Sequence, residues 1–522
     1  MASVFAKMPY EPDSRFQYRG LIWLFIILGV ALRLFLLARP GHLFGVTEYD
    51  DGVYFGAALR LIGGVLPYKD FVLVQPPGIA VLLSPVALAA KVIGTANGLA
   101  VARILTVIVD GFNIALVGML VRRRGRLAVV LSCGFMAIYP QAIFSSQTVL
   151  LEPFLNLFCL LGLYFCLDSW GFQRSGTTLF AGGLFLGIAG SIKVWAIIPV
   201  LVIVIVVLIE TFAQKRFRTI RTLVSGIVVG FAIMVLPFFL AAPKAFLNQV
   251  ILDQLYRIPG QRVGFQTRMS DIAGADPFIW LFGHAAIVVA ALSFVFLIFF
   301  AVAVARTWSA GSIFSIFVIV TTFLVFVALL WPNDFYYHYA DFLAPYLALT
   351  LAVAVSDAST RGLGLNQADL SRRAFATVAA SVSIVTILSF VYESQIPSAP
   401  VPAKVAGQLI PRGACVLTDQ ASLLILSNRF FSTDRNCPQM LDSFGSALYL
   451  SGGKTIDAGA AQNLKVVKFW MSALSHASFV WLSDQSSRRV PTTGLPWSYL
   501  ISHFKVMPSP GAHLGTIYVR DS

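Results

Sequence analysis

Residues 47–78 read TEYDDGVYFGAALRLIGGVLPYKDFVLVQPPG and follow directly on the first long apolar segment of the chain. Acidic residues fall close together at its start, at Glu48, Asp50 and Asp51. A short amphipathic helix pattern comes next, followed by a Pro-Tyr-Lys-Asp turn and a Gln-Pro-Pro stop. A loop that only joined two membrane helices would need none of these features. We therefore expect the chemistry of the protein to lie here.

The composition around this stretch is that of a membrane protein. Of the 522 residues, 58% are hydrophobic and only 12% are charged, against about 25% charged residues in a typical soluble domain. Soluble proteins do not carry repeated apolar runs of about 18 residues or more, so the chain is predicted to be polytopic. The net charge of +14 comes from short basic clusters between apolar runs. Such clusters are expected in cytoplasmic loops beside anionic membrane lipids, so we predict no nucleic-acid function.

The basic clusters also orient the chain in the membrane. Three of them are expected in the cytoplasm, namely RRRGR at 122–126, KRFRTIR at 215–221 and RGLGLNQADLSRR at 361–373. Eleven spans satisfy this rule, with the amino terminus inside and everything after about residue 393 outside. The first reads as a retained anchor because it lacks a cleavage site. The predicted spans are 21–38, 101–121, 127–143, 148–167, 178–192, 194–210, 221–242, 285–305, 311–331, 341–356 and 374–392.

One apolar segment does not fit this scheme as a span. GIAVLLSPVALAAKVIG at 78–94 is short and has a proline in its middle. If it crossed the membrane, the basic run at 122–126 would fall outside. We interpret it as a juxtamembrane or re-entrant helix on the outer side, which requires surrounding protein to satisfy its backbone. The alternative is a true span, with a later pair of spans misassigned.

The sequence predicts two domains. Residues 1–392 form an all-α transmembrane domain with outer loops at 39–100 and 243–284, and a loop as long as the second is usually functional or disordered. From about residue 393 the apolar runs shorten to strand length, as in CVLTD, FVWLSD and GTIYVRD. This change predicts an extracytoplasmic α/β domain over 393–522, of ordinary domain size.

Two cysteines lie in this predicted outer domain, Cys415 and Cys437. By the orientation above they would be in an oxidising compartment, where disulfides form and persist. We expect a disulfide between them. Their spacing alone does not establish it, and two free buried thiols are the alternative.

Ionisable residues in or near the spans share one side of the membrane. Charged groups in a membrane are costly and tend to be functional or specifically paired. By the predicted orientation, the following residues all approach the outer leaflet: Arg33, Asp50, Asp51, Arg103, Glu152, Lys193 and His338. Each has a purely structural explanation, such as arginines snorkelling to the interface or Glu152 capping a helix. These structural explanations do not account for the fact that all seven residues lie on the same side of the membrane. Their shared location predicts one polar cavity that opens outward.

Such a cavity suits a substrate with a phosphate headgroup on a lipid tail. Arginine and lysine would hold the phosphate and stabilise it as a leaving group, while a carboxylate would take a proton from an attacking hydroxyl. A divalent metal cation could add to this, with Asp51, Glu152 and His338 as candidate ligands. A short metal motif such as H-E-x-x-H is absent from the sequence.

The stretch DDGVYFGAALRLIGGVLPYKDFVLVQPPG resembles the first outer loop of the GT-C superfamily of membrane glycosyltransferases. Within that superfamily it is similar to the protein O-mannosyltransferases and the bacterial lipid A aminoarabinose transferases (glycosyltransferase families 39 and 83). Those proteins carry an acidic pair after the first span, then a juxtamembrane helix, a Gly–Pro–Tyr-type turn and a Lys-Pro-Pro. The matching features here are Asp50-Asp51, the 52–63 helix, Pro67-Tyr68-Lys69-Asp70, Gln75-Pro76-Pro77-Gly78, Ala102-Arg103, Glu152-Pro153 and His338-Tyr339. In layout the resemblance covers roughly residues 20–350.

The resemblance implies transfer of a sugar from a polyprenyl-phosphate donor to a glycan, lipid or protein acceptor on the outer face of the plasma membrane. Asp50 matches the family's general base, and Asp51 stands in place of the usual Glu, with a metal or substrate contact as its implied role. Gln75 stands where the family often has a lysine near the donor phosphate. The candidates for binding donor and substrate are Lys69, Gln75, Arg103, Glu152, Lys193, Arg257, His338 and Tyr339.

Two other classes of function compete with glycosyl transfer. A transporter or flippase of a lipid-linked sugar or polar lipid predicts paired ionisable groups near the membrane midplane and often inverted repeats, and neither is evident in the sequence. A non-catalytic scaffold in an envelope assembly would leave the acidic pair unexplained. We therefore favour a glycosyltransferase of cell-envelope or cell-wall biogenesis, whose sugar and acceptor cannot be read from residue spacing.

Overall fold

The computed structural model describes residues 18–167, 176–214, 217–258, 262–310, 312–355, 367–484, 488–508, 511 and 513–521. The amino-terminal residues 1–17 lie outside these ranges. So do residues 361–366 of the third basic cluster and residues 215–216 of the second.

The predicted transmembrane part is helical along most of its described length. Its helices are α1 (Arg19–Ala38), α2 (Asp50–Leu61), α3 (Gly78–Ile93), α4 (Thr95–Val121), α5 (Arg126–Ile138), α6 (Pro140–Ser146), α7 (Leu151–Cys166), α8 (Gly176–Ile192), α9 (Ile197–Gln214), α10 (Phe217–Ala241), α11 (Pro243–Leu247), α12 (Asp253–Leu255), α13 (Phe265–Ala273), α14 (Asp276–Phe282), α15 (Ala285–Ala310), α16 (Ile313–Leu330), α17 (Ala344–Ala354) and α18 (Gln367–Ser394). A π-helical turn covers Asn248–Leu252, and 3₁₀ turns cover Arg122–Arg124, Val194–Ala196 and Tyr337–Leu343. Each predicted span falls on one or two of these elements.

Length and composition identify fewer spans than the charge rule does. Within the described ranges, five helices are long and apolar enough to cross a membrane, and the bent pair α5–α6 makes a sixth. Five further apolar helical stretches in the described ranges are shorter, with 10–17 residues each. The number of eleven spans therefore stays a prediction. The apolar segment at 78–94 forms the helix α3, and its position relative to the membrane also stays a prediction.

A buried arginine holds the 53° bend between α5 and α6. Pro140 has no N–H, so the carbonyl of Met136 loses its helical partner there. Arg33 of α1 donates to the carbonyl oxygens of Met136 at 3.1 Å and Ala137 at 2.9 Å, and it pairs with Asp110 Oδ2 of α4 at 2.5 Å. Because Arg33 is fully buried, it is neither an interface anchor nor part of an outward cavity. It joins α1, α4 and α5.

The predicted outer loop at 243–284 is folded into short helices, α11 to α14. Arg268 of α13 donates to the carbonyl oxygens of Leu329 at 3.1 Å and Asn333 at 2.8 Å, which ties the segment to the end of α16. The amide of Ile258 donates to the carbonyl of Gly453 at 2.6 Å. The loop thereby contacts both the helical part and the C-terminal part of the chain.

The C-terminal part contains a four-stranded mixed sheet with helices around it. Its elements are α19 (Ala403–Leu409), β1 (Val416–Thr418), α20 (Ala421–Leu426), α21 (Ser443–Ser451), a 3₁₀ turn (Ala460–Gln462), α22 (Leu464–His476), β2 (Phe479–Leu482), α23 (Gly494–His503), β3 (Phe504–Val506) and β4 (Thr516–Arg520). The strand order is β1-β2-β4-β3, with β1 parallel to β2 and the other pairs antiparallel. The three strand-like runs found in the sequence form β1, β2 and β4. Cys415 and Cys437 are joined by a disulfide, with their Cα atoms 5.4 Å apart.

This C-terminal part packs directly against α2. Gly52 approaches α20 so closely that a Cβ atom on it would lie 2.3 Å from the backbone nitrogen of Ser422. The Ser422 hydroxyl donates to Asp51 Oδ1 at 2.8 Å and to the carbonyl of Glu48 at 3.0 Å. The acidic stretch is therefore enclosed between the helical part and the C-terminal part.

Gly52→Ala tests this close packing. The added methyl group has no space against the backbone of α20, so we expect a loss of about 1–3 kcal/mol of folding free energy, as for other overpacked sites. Thermal unfolding of the purified protein in detergent, with limited proteolysis of the C-terminal part, measures the effect. Gly20→Ala in α1 is the control, because its Cβ would meet nothing within 4 Å. Equal stability of the two variants would contradict the packing described.

Candidate functional site

A polar cavity of about 60 Å³ lies at the amino-terminal end of α2. Its lining comes from the 47–78 stretch, from the turn between α8 and α9, from the segment at 243–284, from the turn before α17, and from the C-terminal part. The lining residues are Glu48, Tyr49, Asp50, Val53, Tyr54, Leu73, Val74, Gln75, Lys193, Gln254, Arg257, Tyr336, His338, Tyr339, Asp442, Phe444 and Arg489. We call this space the polar cavity.

Asp50 is the first residue of α2 and faces the polar cavity with 33% of its side chain exposed. Its Oδ2 accepts a hydrogen bond from the Tyr54 hydroxyl at 3.3 Å and lies 4.0 Å from His338 Nε2. A negative charge at a helix N-terminus is stabilised by the helix dipole. Asp50 is thus an accessible carboxylate beside a ring nitrogen.

The other carboxylates that line the polar cavity are more firmly held. Glu48 accepts hydrogen bonds from the Tyr49 amide at 3.1 Å and the Tyr337 hydroxyl at 3.2 Å. Asp442 accepts from the Tyr49 hydroxyl at 2.9 Å and the Gly445 amide at 2.7 Å. Burial raises the pKa of Glu48, and the nearby charge of Asp50 adds to the effect. Burial also raises the pKa of Asp442, to about 6. Asp50 is therefore the lining carboxylate best placed to meet a substrate.

A chain of ionisable groups lies behind Asp50. Glu152 at the start of α7 is fully buried; its Oε1 lies 2.5 Å from Lys193 Nζ and its Oε2 lies 3.0 Å from His338 Nδ1. Burial disfavours the charged form of His338, but the carboxylates of Glu152 and Asp50 outweigh it and raise its pKa. His338 thus lies between two carboxylates, with one ring nitrogen toward Glu152 and the other toward Asp50.

Three other cationic side chains line the polar cavity. Lys193 lies over the rings of Trp195 and Tyr339, with Nζ 4.1 Å and 4.0 Å from their centroids. The Nε of Arg257 lies 2.7 Å from Asp334 Oδ2. The guanidinium of Arg489 lies over the Tyr49 ring, 4.2 Å from its centroid. These residue types in one concave space suit an anionic ligand.

Asp51 points away from the polar cavity, and its expected role in catalysis or metal binding needs correction. It is fully buried and lies 2.5 Å from the guanidinium of Arg103. Its Oδ2 also accepts from the Thr148 hydroxyl at 2.7 Å, and its Oδ1 accepts from Ser422 at 2.8 Å. Consecutive residues of an α-helix point about 100° apart, so Asp50 and Asp51 have separate surroundings. Asp51 has a structural role.

Three expected substrate-binding residues also lie outside the cavity lining. Arg103 is fully buried and, besides Asp51, donates to the carbonyl oxygens of His42, Leu43 and Gly45 at 2.8–3.0 Å. Lys69 is exposed on the Pro-Tyr-Lys-Asp turn. Glu152 supports the lining residues Lys193 and His338 from behind. Gln75, Lys193, Arg257, His338 and Tyr339 do line the cavity, as the outward-cavity hypothesis requires.

The three candidate metal ligands do not form a metal site. The oxygens of Asp51 are taken by Arg103, Thr148 and Ser422, while those of Glu152 face Lys193 and His338. Within the described ranges, no group of three or more His, Cys, Asp or Glu side chains could hold a metal ion. The donor set therefore does not fit a divalent cation here, and we derive no step through one.

A second, larger cavity of about 750 Å³ lies on the other side of Tyr337. Its walls are mainly apolar and aromatic, with Leu37, Phe144, Trp280, Tyr392 and Pro397 among the lining residues. The hydroxyl of Tyr337 bonds to Glu48, which lines the polar cavity. The tyrosine thus stands between an apolar space and a polar one. We call this space the apolar cavity.

The lining residues of the C-terminal part were not predicted from the sequence. Asp442, Phe444 and Arg489 lie about 400 positions after Asp50 in the chain. No local motif marks them, since the predicted strands and helices around them are those of an ordinary α/β unit. Tertiary packing against α2 brings them to the site.

Comparison with known proteins supports the resemblance seen in the 47–78 stretch. Residues 85–250 match the family model of dolichyl-phosphate-mannose-protein mannosyltransferase. No curated protein matches the chain. The family match lies next to the acidic loop and includes Arg103, Glu152 and Lys193.

Solved structures show that the fold is shared along nearly the whole chain. ArnT from Cupriavidus metallidurans, bound to undecaprenyl phosphate, superposes with a TM-score of 0.59 and 14% identity, covering 96% of this chain and 98% of that one. The archaeal oligosaccharyltransferase AglB from Archaeoglobus fulgidus, in complex with an inhibitory peptide and a dolichol-phosphate, gives 0.53 and 11%, covering 91% and 70%. The chain thus has the fold of the GT-C glycosyltransferases, and the predicted resemblance to them is confirmed.

Asp51→Asn tests the structural role of the second acid. Removing the charge leaves Arg103 buried without its partner, which typically costs about 3–5 kcal/mol. We expect a clear fall in unfolding temperature and in the yield of folded protein. Asp50→Asn, at the neighbouring exposed position, is the matched control and should leave stability unchanged. A stable but inactive Asp51→Asn protein would contradict the structural role and indicate that Asp51 takes part in catalysis.

Proposed function

We propose that this protein is a membrane glycosyltransferase. It moves a sugar from a polyprenyl-phosphate donor to an acceptor hydroxyl on the outer face of the membrane, and Asp50 is its general base. The observation that carries the proposal is the placement of Asp50. It is an accessible carboxylate at a helix N-terminus, in a cavity shared with His338, Lys193, Arg257 and Arg489.

In the proposed reaction, the carboxylate and the cations of the site have different tasks. The acceptor hydroxyl attacks the anomeric carbon of the donor sugar and passes its proton to Asp50. The bond between that carbon and the phosphate oxygen breaks, and the polyprenyl phosphate leaves with the bonding electrons. The lining cations Lys193, Arg257 and Arg489 stabilise the negative charge that builds on the phosphate.

Glu152 acts as a positioning residue in this scheme. Its contacts at 2.5 Å and 3.0 Å orient Lys193 and His338, so that both face the polar cavity. The carboxylate of Glu152 lies between these two side chains and is the ion-pair partner of both. Glu152 therefore sets the electrostatics of the site without touching the substrate.

The two cavities suit a substrate with a polar head and an apolar tail. The apolar cavity of about 750 Å³ can take hydrocarbon from the donor or the acceptor, while the polar cavity meets the reacting groups. The polar cavity, at about 60 Å³, has room for only about four or five water molecules. It must widen when a sugar binds, and the Glu48–Tyr337 contact between the two cavities lies at the boundary that would move.

The placement on the outer face is supported by the charge rule and by the disulfide. The basic cluster at 122–126 and the outer segment at 243–284 lie at opposite ends of predicted spans. Cys415 and Cys437 are paired, as expected in an oxidising compartment. The C-terminal part that holds them reaches the same cavity as Asp50, so both belong on one side of the membrane.

One observation bears on the transporter alternative. Paired ionisable groups inside the spans are not evident in the sequence, yet Arg33 and Asp110 form a buried pair. Arg33 is also bonded to Gly29, Ala137 and Ser146, and so it is fixed within the helix packing. Because this pair does not line either of the two cavities described, it does not favour transport over glycosyl transfer.

Asp50→Asn tests the general base. The amide cannot accept the proton, so we expect sugar transfer in isolated membranes to fall by about 10²–10⁴-fold while expression and unfolding temperature stay unchanged. Transfer is measured with radiolabelled polyprenyl-phosphate sugars, followed by identification of the glycosylated product. Asp457→Asn, which changes an exposed acid of the C-terminal part, is the matched control. Substantial transfer by Asp50→Asn would rule out Asp50 as the base.

Cysteine labelling tests the predicted orientation of the chain in the membrane. Phe265 of the segment at 243–284 is 69% exposed, and Arg126, the last residue of the RRRGR cluster, is expected on the opposite side of the membrane. An impermeant maleimide should label Phe265→Cys in intact cells and Arg126→Cys only after permeabilisation. Background labelling is low because Cys133, Cys159 and Cys166 are buried and the other two cysteines are paired. Labelling of both positions from one side would contradict the orientation.

A further inference from the structure

We infer that Arg489, contributed by the C-terminal part, binds the phosphate group of the lipid-linked substrate. This inference rests on the proposed function and names a residue that completes the same site. The 47–78 stretch contributes no cation to the lining of the polar cavity. Gln75 lines the polar cavity but carries no charge, and the only lysine of the stretch, Lys69, is exposed outside the lining.

The cations of the polar cavity differ in how much of their charge is already paired. Lys193 is bound to Glu152 at 2.5 Å, and Arg257 lies 2.7 Å from Asp334. His338 lies 3.0 Å from Glu152. Arg489 is different. Among the described residues its guanidinium makes no ion pair or hydrogen bond, and its contacts are with the rings of Tyr49 and Phe444, at 4.2 Å and 5.7 Å.

The guanidinium is held in place without being neutralised. Stacking on Tyr49 orients its plane, and the hydroxyl of the same tyrosine donates to Asp442. The backbone amide of Arg489 donates to Asp419 Oδ2 at 2.9 Å. Asp419 is fully buried at the end of β1 and also accepts from the Ser483 amide and hydroxyl at 2.8 Å each. The sheet therefore fixes the backbone on which Arg489 stands.

The charge of Arg489 is retained in this position. Burial disfavours its charged form, but Tyr49, Tyr336 and the carboxylates of Asp50 and Asp442 raise its pKa above the usual value. A guanidinium offers several N–H donors in a fixed plane, which match two oxygens of a phosphate. An unpaired, oriented guanidinium facing a cavity is ready for an anionic ligand. The C-terminal part is thus a component of the binding site.

Binding of undecaprenyl phosphate to the purified full-length protein tests the inference. Arg489→Gln keeps a polar side chain with a similar stem but removes the charge and the fork of donors. Loss of charge-assisted hydrogen bonds should weaken binding by about tenfold to a hundredfold. Arg489→Lys restores the charge as a single point and should bind with intermediate affinity. Undecaprenol, which lacks the phosphate, should bind all three proteins equally and weakly.

Arg488→Gln is the matched control. Arg488 lies over the Trp497 ring at 5.5 Å and does not line the polar cavity, so this variant should bind like the wild type. Inorganic phosphate serves as a further probe. If it competes equally with the lipid in wild type and Arg489→Gln, the residue does not contact the phosphate.

The outcomes separate the two proposals. Failure of the wild-type protein to bind undecaprenyl phosphate above undecaprenol would overturn the proposed function itself. Equal binding of undecaprenyl phosphate by wild type and Arg489→Gln, with the wild type active, would overturn only the role of Arg489. Selective weakening in Arg489→Gln, with partial recovery in Arg489→Lys and an unchanged unfolding temperature, supports both.

Discussion

The buried ion pair between Asp51 and Arg103 is the interaction on which the site depends. It joins α2 to α4, and its members also bond to Thr148, to Ser422 and to the carbonyl oxygens of the segment before α2. Two buried charges are tolerated only when further hydrogen bonds satisfy them, and these contacts meet that condition. The pair thereby fixes the start of α2 between the helical part and the C-terminal part.

This arrangement separates two adjacent acids by function. Because successive residues of a helix point in different directions, fixing Asp51 in the interior turns Asp50 toward the polar cavity. Asp50 then faces His338, which Glu152 orients from behind. Two buried carboxylates thus fix the surroundings of Asp50. Asp51 holds the helix on which Asp50 stands, and Glu152 holds the histidine that Asp50 faces. The accessible carboxylate can act on a substrate because the others hold its surroundings.

The polar cavity belongs to two parts of the chain at once. The helical part contributes Asp50, His338, Lys193 and Arg257, and the C-terminal part contributes Asp442, Phe444 and Arg489. Gly52 approaches α20 so closely that the two parts pack directly against each other beside the cavity. The C-terminal part therefore forms one wall of the polar cavity. Its contact with the segment after α10, through Ile258 and Gly453, gives it a second point of attachment.

The sequence by itself determined the class of protein, the helical segments, three of the four strands and a stretch that lines the candidate site, because these follow from apolar runs, alternation and local motifs. It also identified Asp50, Gln75, Lys193, Arg257, His338 and Tyr339, all of which line the cavity. The predicted side of the membrane does not tell which way a side chain points. Arg33, Asp51 and Arg103 were therefore expected in a cavity, although packing buries them in structural ion pairs. Only the tertiary structure placed Arg489 and Asp442 beside Asp50, because contacts between residues so distant in the chain leave no local pattern.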